Sequence, residues 1–237
     1  MTRSMRLRCM LSLAFSLLLV PGVAPAGVAE SANDDMSAQA ASPQPFSARY
    51  RLEVSGWPNA TIDHQLIRES GHWQSRMKAA IAVARGNERS RFVITPEGAR
   101  SVNYASGYSL LGIGGDYRLG SDDLADRPDR QTALFELSRR AVNGDCRQGA
   151  ECRLVYQDHR GREEILDYRV LDREHLQLPA GEFDAVKVEV IDRETPDRQM
   201  IFHFHPELPG LLLAVDYRRD GKRSSRLSLT SLDVKSR

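Results

Sequence analysis

The sequence contains no apolar run long enough to cross a bilayer as a helix. Its longest run, residues 9–20, has only twelve residues including two serines, whereas a membrane-spanning helix needs about 20. Three arginines precede this run, and Ala24-Pro25-Ala26 follows it with small residues where a signal peptidase cleaves. This order predicts a cleavable export signal over residues 1–26, a periplasmic location and no membrane span in the mature chain.

The mature chain also lacks an excess of positive charge. Removing residues 1–26 takes away three arginines and no acidic residue, so Lys plus Arg falls from 33 to 30 against 32 Asp plus Glu, a net charge of −2. Nucleic-acid-binding proteins normally carry a basic excess or stripe, and the sequence shows neither. Together with export, this balance predicts that nucleic acid is not a partner.

Cysteine is scarce. The chain has three cysteines, one of them inside the predicted signal. The remaining two, Cys146 and Cys152, are predicted to form a structural disulfide because the compartment is oxidising and they lie close in sequence. Their spacing is not that of a C-x-x-C redox motif, and two cysteines are too few for the usual thiolate-rich zinc sites.

Motifs for the commonest site chemistries are missing. There is no G-x-S-x-G sequence, the glycine-rich residues 111–115 lack a phosphate-loop lysine, and the acidic residues 121–129 lack calcium-loop spacing. His203 and His205 lie two apart, which suits a metal site on a strand, but the sequence places no third ligand. We therefore predict no catalytic residue, cofactor or metal site, while a catalytic site assembled from distant residues stays open.

The composition divides the mature chain into a leader and one domain. Residues 27–44 are mostly Ala, Ser, Asn and Asp, which cannot bury a core, and they are predicted to be disordered. Residues 45–235 form a single predicted β-rich domain of ordinary size. Within it, residues 107–128 contain five glycines and several acids and are predicted to be a long irregular loop.

Apolar and polar residues alternate through most of the domain, as in strands with one buried and one solvated face. Glycine-containing dipeptides suited to hairpin turns separate the candidate strands, and Asp220-Gly221 is the strongest of them. Short connections favour antiparallel neighbours. The predicted fold is therefore mostly β, with about ten to twelve strands. The clearest alternation lies at residues 46–54, 77–83, 165–170, 186–190, 201–205 and 211–217.

One helix is predicted over residues 131–142, where apolar side chains recur with helical spacing in a single stripe. Asp129 or Thr132 can cap its start, and Asn143-Gly144 can end it in the left-handed conformation. A helix with one apolar stripe is expected to lie on a sheet or to plug the open end of a barrel.

The order of several short segments resembles an exported bacterial family known as domain-of-unknown-function family 3108. The resemblance covers residues 46–233, nearly the whole mature chain. The matching segments are Phe46-Ser47-Ala48-Arg49-Tyr50, residues 129–140, residues 178–188, Phe202-His203-Phe204-His205-Pro206, Leu208-Pro209, Asp216-Tyr217 and Asp220-Gly221.

Members of this family are distantly similar to the periplasmic lipoprotein carriers LolA and LolB. That similarity implies a curved antiparallel sheet, half-barrel or β-spiral, with one short helix packed on or in the opening and an apolar cavity. It also implies a non-enzymatic role in holding an apolar envelope component, by analogy of fold alone. The family has no established functional residue to carry over.

The leading hypothesis is a β-half-barrel that binds a lipid or another apolar envelope ligand, with the helix as lid or plug. Carriage of a whole ligand requires an interior cavity of about 300 Å³ or more. A filled interior with an exposed apolar patch would favour a structural or adaptor protein instead, and a polar cleft would favour a hydrolase. Ligand, partner and oligomeric state stay open. The predicted ligand-lining residues are Tyr50, Leu52, Met77, Ile81, Val188 and Leu213.

Overall fold

The structure is a computed structural model that describes residues 42–81, 83–146, 148–192 and 195–235. The predicted export signal, residues 1–26, lies outside the described residues, as does most of the predicted leader, residues 27–44. The described part begins directly before the first strand, close to the predicted start of the domain.

The described chain forms twelve strands and one helix, which lies between the sixth and seventh strands. The helix is α1 (Arg130–Asn143). The strands are β1 (Phe46–Val54), β2 (Ala60–Glu69), β3 (His72–Ile81), β4 (Ala84–Thr95), β5 (Gly98–Leu110), β6 (Ile113–Leu119), β7 (Glu151–Gln157), β8 (Glu163–Leu178), β9 (Gly181–Val190), β10 (Arg198–Phe204), β11 (Leu212–Arg219) and β12 (Lys222–Val234).

All twelve strands belong to one antiparallel sheet in the order β6-β5-β4-β3-β2-β1-β12-β11-β10-β9-β8-β7. Every strand pair joins neighbours in sequence except at the centre, where β1 pairs with β12, with Tyr50 opposite Leu229. The sheet is curved and does not close, since β6 and β7 are its two edges and do not pair with each other in the described chain. The predicted mostly-β, half-barrel fold is therefore confirmed.

The main core lies between the concave face of the sheet and α1. In an antiparallel pair, directly opposite residues share a face, so the register places Phe46, Leu66, Phe92 and Phe204 on the same side as Tyr50. Each of these five side chains is almost completely buried. From the helix, Phe135 packs against Phe92 with ring centroids 4.8 Å apart.

The helix boundaries and the disulfide agree with the prediction. Asp129 is the N-cap residue, and its carboxylate accepts hydrogen bonds from the backbone N–H groups of Gln131 and Thr132. Gly144 ends the helix at φ 76°, in the left-handed conformation that favours glycine. The Cys146–Cys152 disulfide follows directly and ties the helix exit to β7. No helix in the described residues is long and apolar enough to span a membrane.

The prediction of one irregular loop over residues 107–128 is wrong for its first half. Residues 107–119 complete β5 and form β6, joined at Leu111-Gly112. Glycine hides this hairpin from periodicity analysis because it contributes no apolar side chain to the pattern. Gly114 is required by packing, since a Cβ there would lie 1.8 Å from the backbone oxygen of Tyr108.

Candidate functional site

The concave face is not completely covered by α1. Beside the helix an apolar groove remains, with a volume of about 270 Å³, and it is open to solvent. Two of its residues are buried and the others are half-buried, so their apolar surfaces form the floor and walls of the groove. Its lining residues are Tyr50, Leu52, Ile62, Met77, Leu134, Phe202, Leu212, Val215, Ser225 and Leu227.

Three of the six predicted lining residues, Tyr50, Leu52 and Met77, line this groove. Ile81 lies at the end of β3, beyond the groove. Val188 and Leu213 do not line the groove, and both are fully buried in the core. Val188 lies opposite Phe202 on the correct face, but it has no exposed surface with which to contact a ligand.

Sequence reasoning missed Leu134, through which the helix forms one wall of the groove, because periodicity does not show which helical residue faces a gap. Phe202, Leu227 and Val215 were also missed as lining residues. Val215 lies opposite both Phe202 and Leu227 in the sheet, and alternation in β10 and β11 could have identified their common face. Tyr50 is fixed on the floor by a 3.1 Å hydrogen bond from its hydroxyl to the Leu212 carbonyl.

The start of α1 is fixed to the concave face by a buried carboxylate. Asp129 is completely buried, and its Oδ2 accepts hydrogen bonds from the hydroxyls of Ser90 and Ser101, both 2.6 Å, and of Thr132, 2.9 Å. Its Oδ1 accepts from the backbone N–H groups of Gln131 and Thr132 at 2.9 and 3.1 Å. The cap residue therefore ties α1 to both β4 and β5.

The middle of α1 has a second buried carboxylate, Glu136. Its oxygens accept 2.8 Å hydrogen bonds from Arg139 and Arg140, and a 3.0 Å hydrogen bond from the backbone N–H of Ala99. Burial alone would raise the pKa of Glu136, but these donors outweigh burial and lower it. Asp129 and Glu136 therefore each bind groups of the sheet, which anchors α1 to it at two points.

A chain of polar side chains links the core to the helix surface. His64 Nε2 lies 3.0 Å from the Ser75 hydroxyl, which donates to Gln131 Oε1 at 2.9 Å. The Gln131 side-chain amide donates in turn to Glu88 at 3.0 Å, and Arg130 also binds Glu88. Because the Gln131 amide group donates to Glu88, its oxygen faces Ser75, and the Ser75 hydroxyl must donate to that oxygen. His64 Nε2 therefore donates to the Ser75 oxygen and cannot accept the Ser75 proton. The pair is therefore not arranged as a nucleophile and its base.

The two histidines weighed as metal ligands have other partners. His203 is buried, with Nε2 2.6 Å from Glu174. His205 follows the end of β10 and accepts a hydrogen bond from the backbone N–H of Glu207. No group of three metal-ligating side chains occurs within the described ranges. Among the acids of residues 121–129, Asp123 accepts from the Gly120 N–H, an ordinary turn contact.

Fold and groove together define a class: an open antiparallel half-barrel, plugged by one helix, with an apolar groove on its concave side. No protein-family model matches the sequence, and no curated protein matches it either. The resemblance to family 3108 therefore stays a prediction.

Several solved structures align with most of the chain at low similarity. MucB aligns with 84% of this chain at 16% identity and a TM-score of 0.40, and the chain spans 56% of MucB, about half its length. A chain of the Pseudomonas aeruginosa MucA/MucB complex gives 12% identity and a TM-score of 0.39 over 81% of this chain and 52% of that one. A Parabacteroides distasonis protein described as a candidate lipoprotein gives 11% identity and a TM-score of 0.36, over 81% and 97% of the two chains. At these values the alignments do not decide function.

Proposed function

We propose that this chain is a non-enzymatic periplasmic envelope protein that holds an apolar chain, such as the acyl chain of a lipid, in the groove beside α1. The observation that carries the proposal is the groove itself. Nine of its ten lining residues are apolar or aromatic, yet α1 is fixed by buried polar contacts where it cannot cover them. A few hundred cubic ångströms of apolar concavity are typical of small-ligand sites.

The size of the groove limits what it can hold. At about 270 Å³ it is slightly smaller than the roughly 300 Å³ at which whole drug-sized ligands become enclosed, and its open side leaves the rest of a ligand in solvent. The proposal is therefore the holding of one apolar chain with its head group outside, which is narrower than the carriage of a whole lipid or other apolar ligand predicted from the sequence.

Two observations support a periplasmic location. The sequence has the three parts of an export signal before the domain. The Cys146–Cys152 disulfide is a bond that persists in oxidising compartments and is rare in the cytosol.

The open side of the groove also favours a second candidate, an adaptor that receives an apolar side chain of an envelope protein in the same place. Both candidates depend on Leu227 and Leu52, which face each other across β12 and β1. They differ in whether a free lipid chain is sufficient for binding.

Binding of cis-parinaric acid, a fluorescent fatty acid, tests the proposal. Leu227→Trp fills the groove and is expected to weaken binding at least about tenfold, because it removes most of the apolar surface available to the probe. Val234→Trp is the matched control, since Val234 lies on the same strand outside the groove and is partly exposed.

The lipid proposal would be wrong if wild type and Leu227→Trp bound cis-parinaric acid equally. It would also be wrong if the wild type did not bind the probe. If, in addition, crosslinking in cells captured an envelope protein with wild type and not with Leu227→Trp, the adaptor would replace it.

A further inference from the structure

Two neighbouring hairpin ends expose apolar side chains at one end of the sheet. Leu111 and Ile113 are 73% and 80% exposed, and the other members of the group are more than half exposed. The β3–β4 and β5–β6 turns lie at the same end because successive antiparallel hairpins alternate in direction, and the Leu111 N–H donates to the Val83 carbonyl at 2.9 Å. We call this group the apolar tips: Val83, Tyr108, Leu110, Leu111 and Ile113.

The backbone conformation at Leu111 is one that disfavours leucine. Leu111 has φ 53°, as the first residue of a two-residue turn completed by Gly112. The hairpins at Ser70-Gly71 and Asp220-Gly221 use the same conformation, with φ 49° at Ser70 and at Asp220. Small polar residues tolerate positive φ in such turns, whereas a leucine there costs about 1 kcal/mol. An exposed and strained leucine at a hairpin end is a reason to look for a contact outside the chain.

Few charged side chains lie among the residues that form the apolar tips. Residues 79–87 and 107–115, which form the two hairpin ends, contain one charged side chain, Arg85, in a protein in which 27% of residues are charged. An ordinary soluble surface of that length would carry several charges of both signs.

Behind the tips, the convex face of the sheet assembles a basic row that is not visible in the sequence. Arg76 lies directly opposite Arg89, and Arg89 is followed on the next two strands by Ala105 and Arg118. None of these arginines has an ion pair to another described residue. Like charges directly opposite each other destabilise a sheet, so this row also indicates an anionic partner. The neighbouring row closer to the tips contains two acids, Asp63 opposite Lys78 and Asp116 opposite Gly107.

We propose that this end of the sheet docks on an anionic phospholipid surface, with Leu111 and Ile113 inserted and Arg85 among the phosphates. Arg85 lies two residues from Val83 along the strand, about 7 Å behind the tips at the strand rise. Apolar groups of peripheral proteins bury about 5–10 Å into the headgroup boundary, so Arg85 reaches the headgroup layer when the tips are inserted. The arginine row lies further back and attracts the surface at longer range.

The same end of the sheet carries the groove. Leu52 and Ser225 lie near the ends of β1 and β12 that lead to the β1–β2 and β11–β12 turns, and these turns point in the same direction as the apolar tips. Docking would therefore bring the groove close to lipid. The docking proposal does not rest on the groove, because the tips and the basic row are separate side chains.

Flotation of the purified protein, expressed from the full-length sequence, tests docking. The probes are vesicles of mixed phosphatidylethanolamine and phosphatidylglycerol and, for comparison, vesicles of phosphatidylcholine alone. Wild type is expected to float with the anionic vesicles. Leu111→Asn combined with Ile113→Thr is expected to reduce the bound fraction at least about tenfold, and Arg85→Gln about fivefold on anionic vesicles. Ile165→Thr is the matched control, since Ile165 is also half exposed but lies on β8.

The same leucine variant separates docking from loss of folding. Asn tolerates positive φ, so Leu111→Asn is expected to keep or raise the thermal unfolding midpoint while vesicle binding falls. Equal flotation of wild type and the double variant would overturn the proposal, and so would a wild type that floats with neither vesicle. A different outcome is that the wild type self-associates in sedimentation velocity and binds no vesicles. If Leu111→Asn then abolished the self-association, the apolar tips would form contacts between copies of this chain.

Discussion

The concave face of the sheet contacts α1 differently at its two ends. Where α1 begins, the face is polar, and Ser90 and Ser101 from the sheet bind the buried Asp129 carboxylate. Beside Leu134, the face is apolar and remains partly uncovered. Buried polar groups require specific partners at specific angles, whereas apolar contacts are not directional. The polar end therefore fixes the helix, and the apolar end stays open because the helix cannot slide over it.

The largest expected effect comes from breaking the polar end. Asp129→Ala removes the helix cap and leaves three buried hydroxyls and two backbone N–H groups without their acceptor. We expect the free energy of unfolding to fall by about 3–5 kcal/mol, measured by urea denaturation. If α1 loosens, the groove loses its wall, and binding of cis-parinaric acid should weaken as well.

Asp123→Ala is the control for this change. Asp123 also accepts a backbone hydrogen bond, from Gly120, but its environment is exposed, so its loss should cost less than about 1 kcal/mol. Similar effects of the two substitutions would contradict the assignment of Asp129 as the anchor.

A second prediction concerns pH, at the boundary between the polar and apolar ends. Burial lowers the pKa of His64 from 6.5 to about 4, so the folded state favours the neutral form of the His64 side chain. Neutral His64 therefore contributes its full share of the free energy of unfolding above pH 6.5. This contribution, on the order of 3 kcal/mol in total, is lost as the pH falls toward 4. In His64→Gln, unfolding free energies measured across this window should depend much less on pH.

His175→Gln is a matched control with the opposite sign. The hydrogen bond to Asp184 raises the pKa of His175, so this exposed histidine cannot supply a loss of stability on acidification. If His64→Gln lost as much unfolding free energy on acidification as the wild type, other groups would be the cause. The buried His203, whose pKa is also lowered by burial, would then be the next residue to replace.

The smallest expected effect belongs to the apolar end. Leu134 is only half-buried, so Leu134→Ala should cost about 1–2 kcal/mol, less than for a fully buried leucine. Because it widens the groove, it should leave binding of cis-parinaric acid unchanged or stronger. Leu134→Met, which conserves volume, is the control for stability. A large loss of stability in Leu134→Ala would mean that the apolar side also holds the helix in place.

Much of this fold could be predicted from the sequence because strands with one buried face alternate strictly. Residues 46–54 and 186–190 are strands where the pattern indicated them. The helix and its ends were identified from local signals, namely the Asp129 cap and the glycine at 144. Proximity in sequence and an oxidising compartment sufficed to predict the disulfide.

The rest depends on contacts between distant residues. β4 places Ser90 on the buried face, and a buried serine resembles a solvated one in sequence, so the polar anchor could not be read from periodicity. Tyr50 and Val188 share the concave face, yet only one borders the groove. Alternation gives the face of a side chain but not how far along the strand the helix stops.

The central pairing of β1 with β12 has a consequence for how the chain folds. Every other strand pair joins neighbours in sequence, so β1–β6 and β7–β12 are two meanders that can each form from local contacts. The pairing that joins them, with Tyr50 opposite Leu229, closes a loop of nearly the whole domain, and loop-closure entropy makes such contacts slow to form. Until that contact forms, each meander has an additional unpaired edge, which is the state most open to aggregation or capture by a chaperone.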